Sequence, residues 1–220
     1  MVSPARKHFQ KAMAAKDAAT ATPTKPQGDS YELHRAAIIE DTRRLHDIQS
    51  IERKIEAKRE LLPNYDGYVQ GVLEAGKGQQ DDVLMTLMVW HLDIGDLKTG
   101  LDIAEYAVAH DLKTPDRYQR DTANLVAEEV ADFALKLDDK AEGKPDILEQ
   151  LHRTVECFAD ADMHDQVKAK LFKALGYLER DIGDKEIALQ SLKRALELSE
   201  RVGVKQDIQR LEKELKDSGQ

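Results

Sequence analysis

Residues 60–115, ELLPNYDGYVQGVLEAGKGQQDDVLMTLMVWHLDIGDLKTGLDIAEYAVAHDLKTP, decide the fold. Tyr68, Val69, Val72 and Leu73 recur at helical spacing and show no strand alternation. Within the stretch, Gly71-Val-Leu-Glu-Ala-Gly76-Lys77-Gly78 matches the opening of a nucleotide-binding loop. That loop needs a Ser or Thr after the Lys to hold magnesium, and a strand before it. Here the next residue is Gly78 and the preceding segment is helical, so Gly76 and Gly78 are expected to end a helix in the left-handed cap conformation. Asp81-Asp82 then stand where acidic side chains start a helix, capping free amides and favouring the dipole. Asp96 can do the same for the next helix.

Outward from this stretch the chain reads as all-α. Helices are expected at about 65–75, 80–93, 97–110, 121–137, 146–159, 163–181, 184–201 and 204–217. Ile147, Leu148, Leu151, Val155 and Phe158 share one face; Val204, Ile208, Leu211 and Leu215 share another. Asp93-Ile-Gly-Asp96 recurs as Asp181-Ile-Gly-Asp184, which pairs Leu87 with Leu175 and Ala107 with Ala195. This is the helix–turn–helix pattern of a tetratricopeptide repeat. Glu179 and Glu200 stand where that repeat wants Tyr and Pro, so hairpins are expected without a regular solenoid.

Three parts follow: a basic arm and linker (1–29), a long helix (30–62) and a helical-hairpin body (63–220). Charged residues make up 34% of the chain and aromatics 5%, with a net charge of −9, which argues against a surface that binds nucleic acid everywhere. The charge is uneven. Arg6, Lys7, Lys11, Lys16 and Lys25 face only Asp17 in residues 1–28, a net +4 that leaves −13 for the rest. Ser3-Pro4 opens a short basic helix, and TATPTKPQGD (20–29) reads as a linker that frees it. Such an arm can hold a polyanion, and an ordinary disordered terminus reads equally well; if the arm binds, five phosphate contacts set a slope of at most about −4 to −5 for log affinity against log salt. The segment from Ser30 to Leu62 reads as one helix about 50 Å long. Leu45, Ile48, Ile55 and Leu62 form a seam for self-association, although Glu52 and Arg59 interrupt its register and an ordinary packed helix reads equally well.

Cys157 is the only cysteine, so no intrachain disulfide forms; beside Val155 and Phe158 it is expected to be a buried thiol. The histidines form no metal spacing, and no segment is long and apolar enough to span a membrane. A nuclease needs two or three carboxylates converging on magnesium. Asp81 and Asp82 are the catalytic candidates and Asp93 and Asp96 come next, with Glu128-Glu129 a distant source of help. Asp82 and Asp93 lie at opposite ends of one expected helix, about 16 Å apart, too far to share a metal. Capping is the simpler role for the Asp pair. Arg43, Arg44, Arg53, Lys54, Lys58 and Arg59 offer phosphate contacts, but interleaved acids make theirs a solvated face.

Glu60-Leu61-Leu62-Pro63, Gly71-Val72-Leu73-Glu74, Gly76-Lys77-Gly78, Gln80-Asp81-Asp82, Leu84-Met85-Thr86, Trp90 and Gly95-Asp96 together resemble a family of phage proteins, as do Ser3-Pro4-Ala5 and Ala159 to Arg180. The family is the terminase small (endonuclease) subunit of Peduovirus-type tailed phages, the GpM family. The resemblance implies a DNA-packaging role in the host cytoplasm. It implies recognition of the cohesive-end site on concatemeric double-stranded DNA, recruitment of the large subunit and a ring-like homo-oligomer. Magnesium and ATP would belong to the large subunit, with no cofactor in this chain. Chains of that family run on into a Lys/Arg/Pro-rich tail where this one ends Lys216-Asp217-Ser218-Gly219-Gln220, which throws more weight on the N-terminal arm. A tetratricopeptide-like adaptor without DNA affinity is the alternative reading.

Overall fold

The computed structural model describes residues 3–20, 29–115, 121–138 and 140–218. Among them are eleven α-helices, a single 3-10 turn and no strand. Two compact units divide the chain, residues 1–121 and 122–220.

In the first unit the hub is α5 (Asp82–Asp93), in which every residue from Val83 to Leu92 is buried. A helix that is apolar on all sides needs neighbours all round, and α2 (Asp29–His46) and α6 (Leu97–Ala109) supply two of them. α1 (Pro4–Thr20) lies along α4 (Asp66–Ala75) for most of its length. Two glycines four residues apart make that possible. A Cβ on Gly67 would stand 2.7 Å from the Lys7 carbonyl oxygen, and one on Gly71 would stand 2.4 Å from that of Lys11. Ala14 and Ala18 complete the seat from the α1 side, at 1% and 8% exposure. Ion pairs latch it: Lys7 Nζ to Asp66 Oδ2 and Lys11 Nζ to Glu74 Oε1, both at 2.5 Å. The expected free arm is therefore a packed helix of the first unit, because α4 offers it a bare backbone groove.

The expected single helix over 30–62 is two helices. α2 stops at His46, and α3 (Ile51–Leu61) begins afresh with Ser50 as its N-cap, whose Oγ accepts the Arg53 amide at 3.4 Å. The seam drawn through both does not exist as one stripe. Leu45 and Leu62 are buried within the unit at 6% and 3% exposure, Ile48 sits in the turn, and Ile55 is half-buried. The 3-10 turn Leu62–Asn64, with Pro63 in it, leads into α4.

The second unit gathers α7 (Thr122–Leu135), α8 (Lys144–Cys157) and α10 (Lys185–Leu198) around α9 (Asp165–Ile182). α11 (Lys205–Ser218) closes on α10 through Ala188, Leu192, Val204, Ile208 and Leu211. From α4 to α11 the helices fall where the periodicity places them, within two residues at most ends. Cys157 is only partly buried, since Thr154 and Phe158 take the inner positions.

The repeated Asp-Ile-Gly-Asp makes the same turn twice. Gly95 and Gly183 adopt φ of 82° and 106°, a region that Gly enters without strain. The amides of Asp96 and Asp184 reach back to the carbonyls of His91 and Glu179, each at 2.9 Å, closing the preceding helix end. The likeness of the hairpins goes little further. α5 is buried on every side, whereas α9 leaves Asp165, Gln166 and Asp181 exposed, so the two are not interchangeable units of one stack.

Candidate nucleic-acid interface

Docking on α4 sorts the cations of α1 by face. Lys7 and Lys11 lie on the α4 side, half-exposed and paired with Asp66 and Glu74. The outer face carries Ala5, Phe9, Ala12 and Lys16, with Arg6 and His8 beside them, and all six are exposed. Phe9 is 65% exposed, a large aromatic ring in water between small alanines. No acid shares this face. Asp17, the helix's only carboxylate, accepts the Ser30 amide at 2.8 Å and so fixes the start of α2. A ring flanked by cations on an acid-free helix face can stack on a base or sugar while the cations meet phosphates. Lys25, the fifth cation assigned to the arm, lies outside the described residues.

The other basic helix has the opposite character. The outward face of α3 carries Glu52, Glu56 and Glu60 in a row of four-residue steps, all exposed. Two of its four cations are engaged: Lys58 pairs with Asp93, and Arg59 Nη2 donates to the Ile94 carbonyl at 3.3 Å, while Arg53 is exposed beside Glu52 and Glu56. On α2, Arg43 bonds Glu40 at 2.8 Å and Arg44 bonds Asp41 at 3.4 Å. A phosphate chain laid along α3 would meet that carboxylate ridge.

The acidic candidates have structural partners. Asp81 is 5% exposed and caps α5, its Oδ1 accepting the Leu84 amide at 2.8 Å. Its Oδ2 accepts the Tyr68 hydroxyl at 2.5 Å. Burial pushes the Asp81 carboxyl up to about 6, against the pull of those bonds. Burial and the nearby Asp81 also raise the Tyr31 hydroxyl to about 12, and the His34 ring lies 4.5 Å from that of Tyr68. Asp81 thus sits in a buried polar knot between α2, α4 and α5. Asp82 is exposed and accepts Gln80 Nε2 at 3.0 Å. Asp96 caps α6 through the Thr99 amide at 3.2 Å and bonds His91 Nδ1 at 2.9 Å, a contact that holds its carboxyl down at about 2. Asp93 is taken by Lys58, and in the second unit Glu128 stands 3.6 Å from Lys170. Among the described residues no three His, Cys, Asp or Glu side chains converge as a metal-binding group.

The loop that resembled a nucleotide-binding motif wraps a tyrosine. Gly78, at φ 79°, donates its amide to the Tyr106 hydroxyl at 2.9 Å. Gly76 is extended rather than left-handed, and a Cβ there would stand 2.2 Å from the same hydroxyl. Gly76 is therefore needed for close approach, not as the expected left-handed cap. Neither this loop's role nor the Gly67–Gly71 groove was drawn from the sequence. The four-residue glycine spacing in α4 was the available signal.

A profile of the phage small terminase subunit family matches residues 35–166. The chain is 43% identical over 216 residues to the "Terminase, endonuclease subunit" of Escherichia phage P2, covering 98% of this chain and 87% of that protein. This chain belongs to the phage small terminase subunit family. The "Probable terminase, endonuclease subunit" of Haemophilus phage HP1 (strain HP1c1) is 26% identical over 197 residues, covering 83% of this chain and 69% of that one. No solved structure matches. The matched profile starts inside α2 and therefore excludes α1, whereas the match to the phage P2 protein takes in nearly the whole chain. Membership carries a role in DNA packaging. Among the described residues no helix is long and apolar enough to cross a membrane.

Proposed function

We propose that this terminase subunit recognises the cohesive-end site on concatemeric double-stranded phage DNA through the outer face of α1. In the host cytoplasm it self-associates and recruits a large subunit that brings ATP and magnesium for packaging and cutting. Family membership supports the setting. The observation that carries the DNA surface is the exposed Phe9 between Arg6 and Lys16 on a helix face without acids.

Docking changes the expected salt dependence. Of the described cations only Arg6 and Lys16 remain turned to solvent without an acidic partner on that face, so α1 contributes about −2 to the slope, at roughly 0.9 per phosphate. Arg6→Gln with Lys16→Gln is expected to flatten the slope by about that amount and to weaken binding severalfold at low salt. Lys7→Gln and Lys11→Gln should leave the slope nearly unchanged while loosening α1. A gel shift across a salt series on duplex carrying the end sequence reads this directly. Equal effects from all four substitutions would restore the free-arm picture. No shift for the unaltered chain at any salt would favour a protein-binding adaptor instead.

A further inference from the structure

α2 buries one side only. Tyr31, His34, Ile38 and Leu45 face inward, while Leu33 and Ile39 are 66% and 55% exposed on the far side with Ala36, Ala37 and Glu40. Nothing among the described residues covers that outer face. Glu32, Ala36, Ile39 and Arg43 run along it in steps of four, three and four, the spacing of a helix-pairing seam.

The order of charges on this seam selects the occupant. Its centre falls between Ala37 and Ile38. Glu32 lies as far on one side as Arg43 lies on the other, with Ala36 and Ile39 likewise balanced. An identical helix laid parallel would set Glu32 beside Glu32 and Arg43 beside Arg43. Laid antiparallel about a two-fold axis, it sets each Glu32 beside the second copy's arginine and each small Ala36 against the larger Ile39, so charge and volume both complement. The existing partners on the same helix are exposed, Glu32 to Arg35 at 3.8 Å and Arg43 to Glu40 at 2.8 Å, and such pairs are weak enough to be exchanged.

We propose that the outer face of α2 is a self-association surface on which a second copy of this chain docks antiparallel. This rests on the self-association proposed above and names one two-fold contact within it; such a contact joins two copies, and a ring needs a second, different surface. A helix of 18 residues is about 27 Å long. One such pair buries less than the ~1,200 Å² of a stable interface, so the pairing is weak and concentration-dependent.

Charge exchange tests it without DNA present. Glu32→Arg gives a chain whose antiparallel pairs are all arginine; Arg43→Glu gives one whose pairs are all glutamate. Each alone should weaken association at least about tenfold by sedimentation velocity. An equimolar mixture restores opposite pairs on both sides and should associate like the unaltered chain, as should the double variant Glu32→Arg, Arg43→Glu. All of these side chains are exposed, so the helical content should not change. Ile39→Asp, which removes the seam's largest apolar contact, should abolish pairing whatever the charges. Single variants that associate like the unaltered chain, or a mixture that associates no better than its parts, overturn this surface while leaving self-association standing. An unaltered chain that remains monomeric at every concentration overturns both.

Discussion

Replacing Gly71 with Val is expected to unseat α1 and to cost about 3 kcal/mol or more in the stability of the first unit. In an exposed helix, exchanging Gly for a residue with a side chain normally helps, by up to about 1 kcal/mol for Ala. Here the sign reverses, because the new Cβ would stand 2.4 Å from the Lys11 carbonyl oxygen and 2.8 Å from the Ala14 Cβ. A side-chain tip can swing away from such a clash. A helix backbone cannot, short of lifting the whole helix, which places the cost at or above the upper end of the 1–3 kcal/mol usual for overpacking. Lifting α1 also opens the Lys7–Asp66 and Lys11–Glu74 pairs and exposes Ala14 and Ala18. Trypsin should then cut at Lys7, Lys11 and Lys16 under conditions where the unaltered chain resists, and the melting temperature should fall. A Gly71→Val chain as resistant as its parent would mean that α1 does not sit in this groove. Arg6 and Lys16 would remain on an unseated α1, so DNA affinity should weaken through lost order rather than vanish.

The same groove marks a boundary of what the sequence conveys. Helix positions from residue 65 onward were readable because most of these helices repeat their apolar residues at helical spacing and several start or stop beside Gly or Asp, while α5 is one unbroken apolar run between Asp82 and Asp93. The docking of α1 was not readable by that route. Its inward face is Lys7, Lys11, Ala14 and Ala18, which shows little apolar contrast, and its partner surface consists of two glycines with no side chain to register in a periodicity. Charge counting then turned two latching lysines into apparent DNA contacts. The break at Asp47–Ser50 could have been seen, since Ser50 and Glu52 are start signals for a helix. An apolar repeat carried through those signals hid them, and two of its four residues proved to be core. Of the site, the capping role of Asp81 was legible from its place before an apolar run. Its bond to Tyr68 was not, because that pairing joins the ends of α4 and the following loop in space.

Asp81→Asn is expected to stabilise the protein above pH 6 and to leave any DNA cutting by the holoenzyme intact. The Asp81 carboxyl rises from an ordinary value of 3.8 to about 6 on folding, chiefly because burial disfavours its charge. Between those values the folded chain holds more proton at this site than the unfolded chain, so stability falls as pH rises through the window. The protonated form's advantage is complete below about pH 4 and lost above about pH 6, a swing of roughly 3 kcal/mol at about 1.4 kcal/mol per pKa unit. Asparagine stays neutral throughout, caps a helix about as well as aspartate, and can still accept the Leu84 amide on Oδ1, while its Nδ2, in the place of Oδ2, donates to the Tyr68 hydroxyl oxygen and reverses that bond rather than losing it. The variant should therefore lose the pH dependence between 4 and 6 and melt several degrees above its parent at pH 8. Asp81→Ala should lose the same pH dependence but melt below Asp81→Asn, since it removes the cap, at about 0.5–2 kcal/mol, and leaves the buried Tyr68 hydroxyl without a partner. A metal-binding or catalytic Asp81 predicts another pattern: Asn would abolish magnesium-dependent cleavage of end-site plasmid by the two-subunit enzyme, whatever it did to the melting curve. Loss of cleavage in a variant that melts higher than its parent would remove Asp81 from the cap and return it to the chemistry.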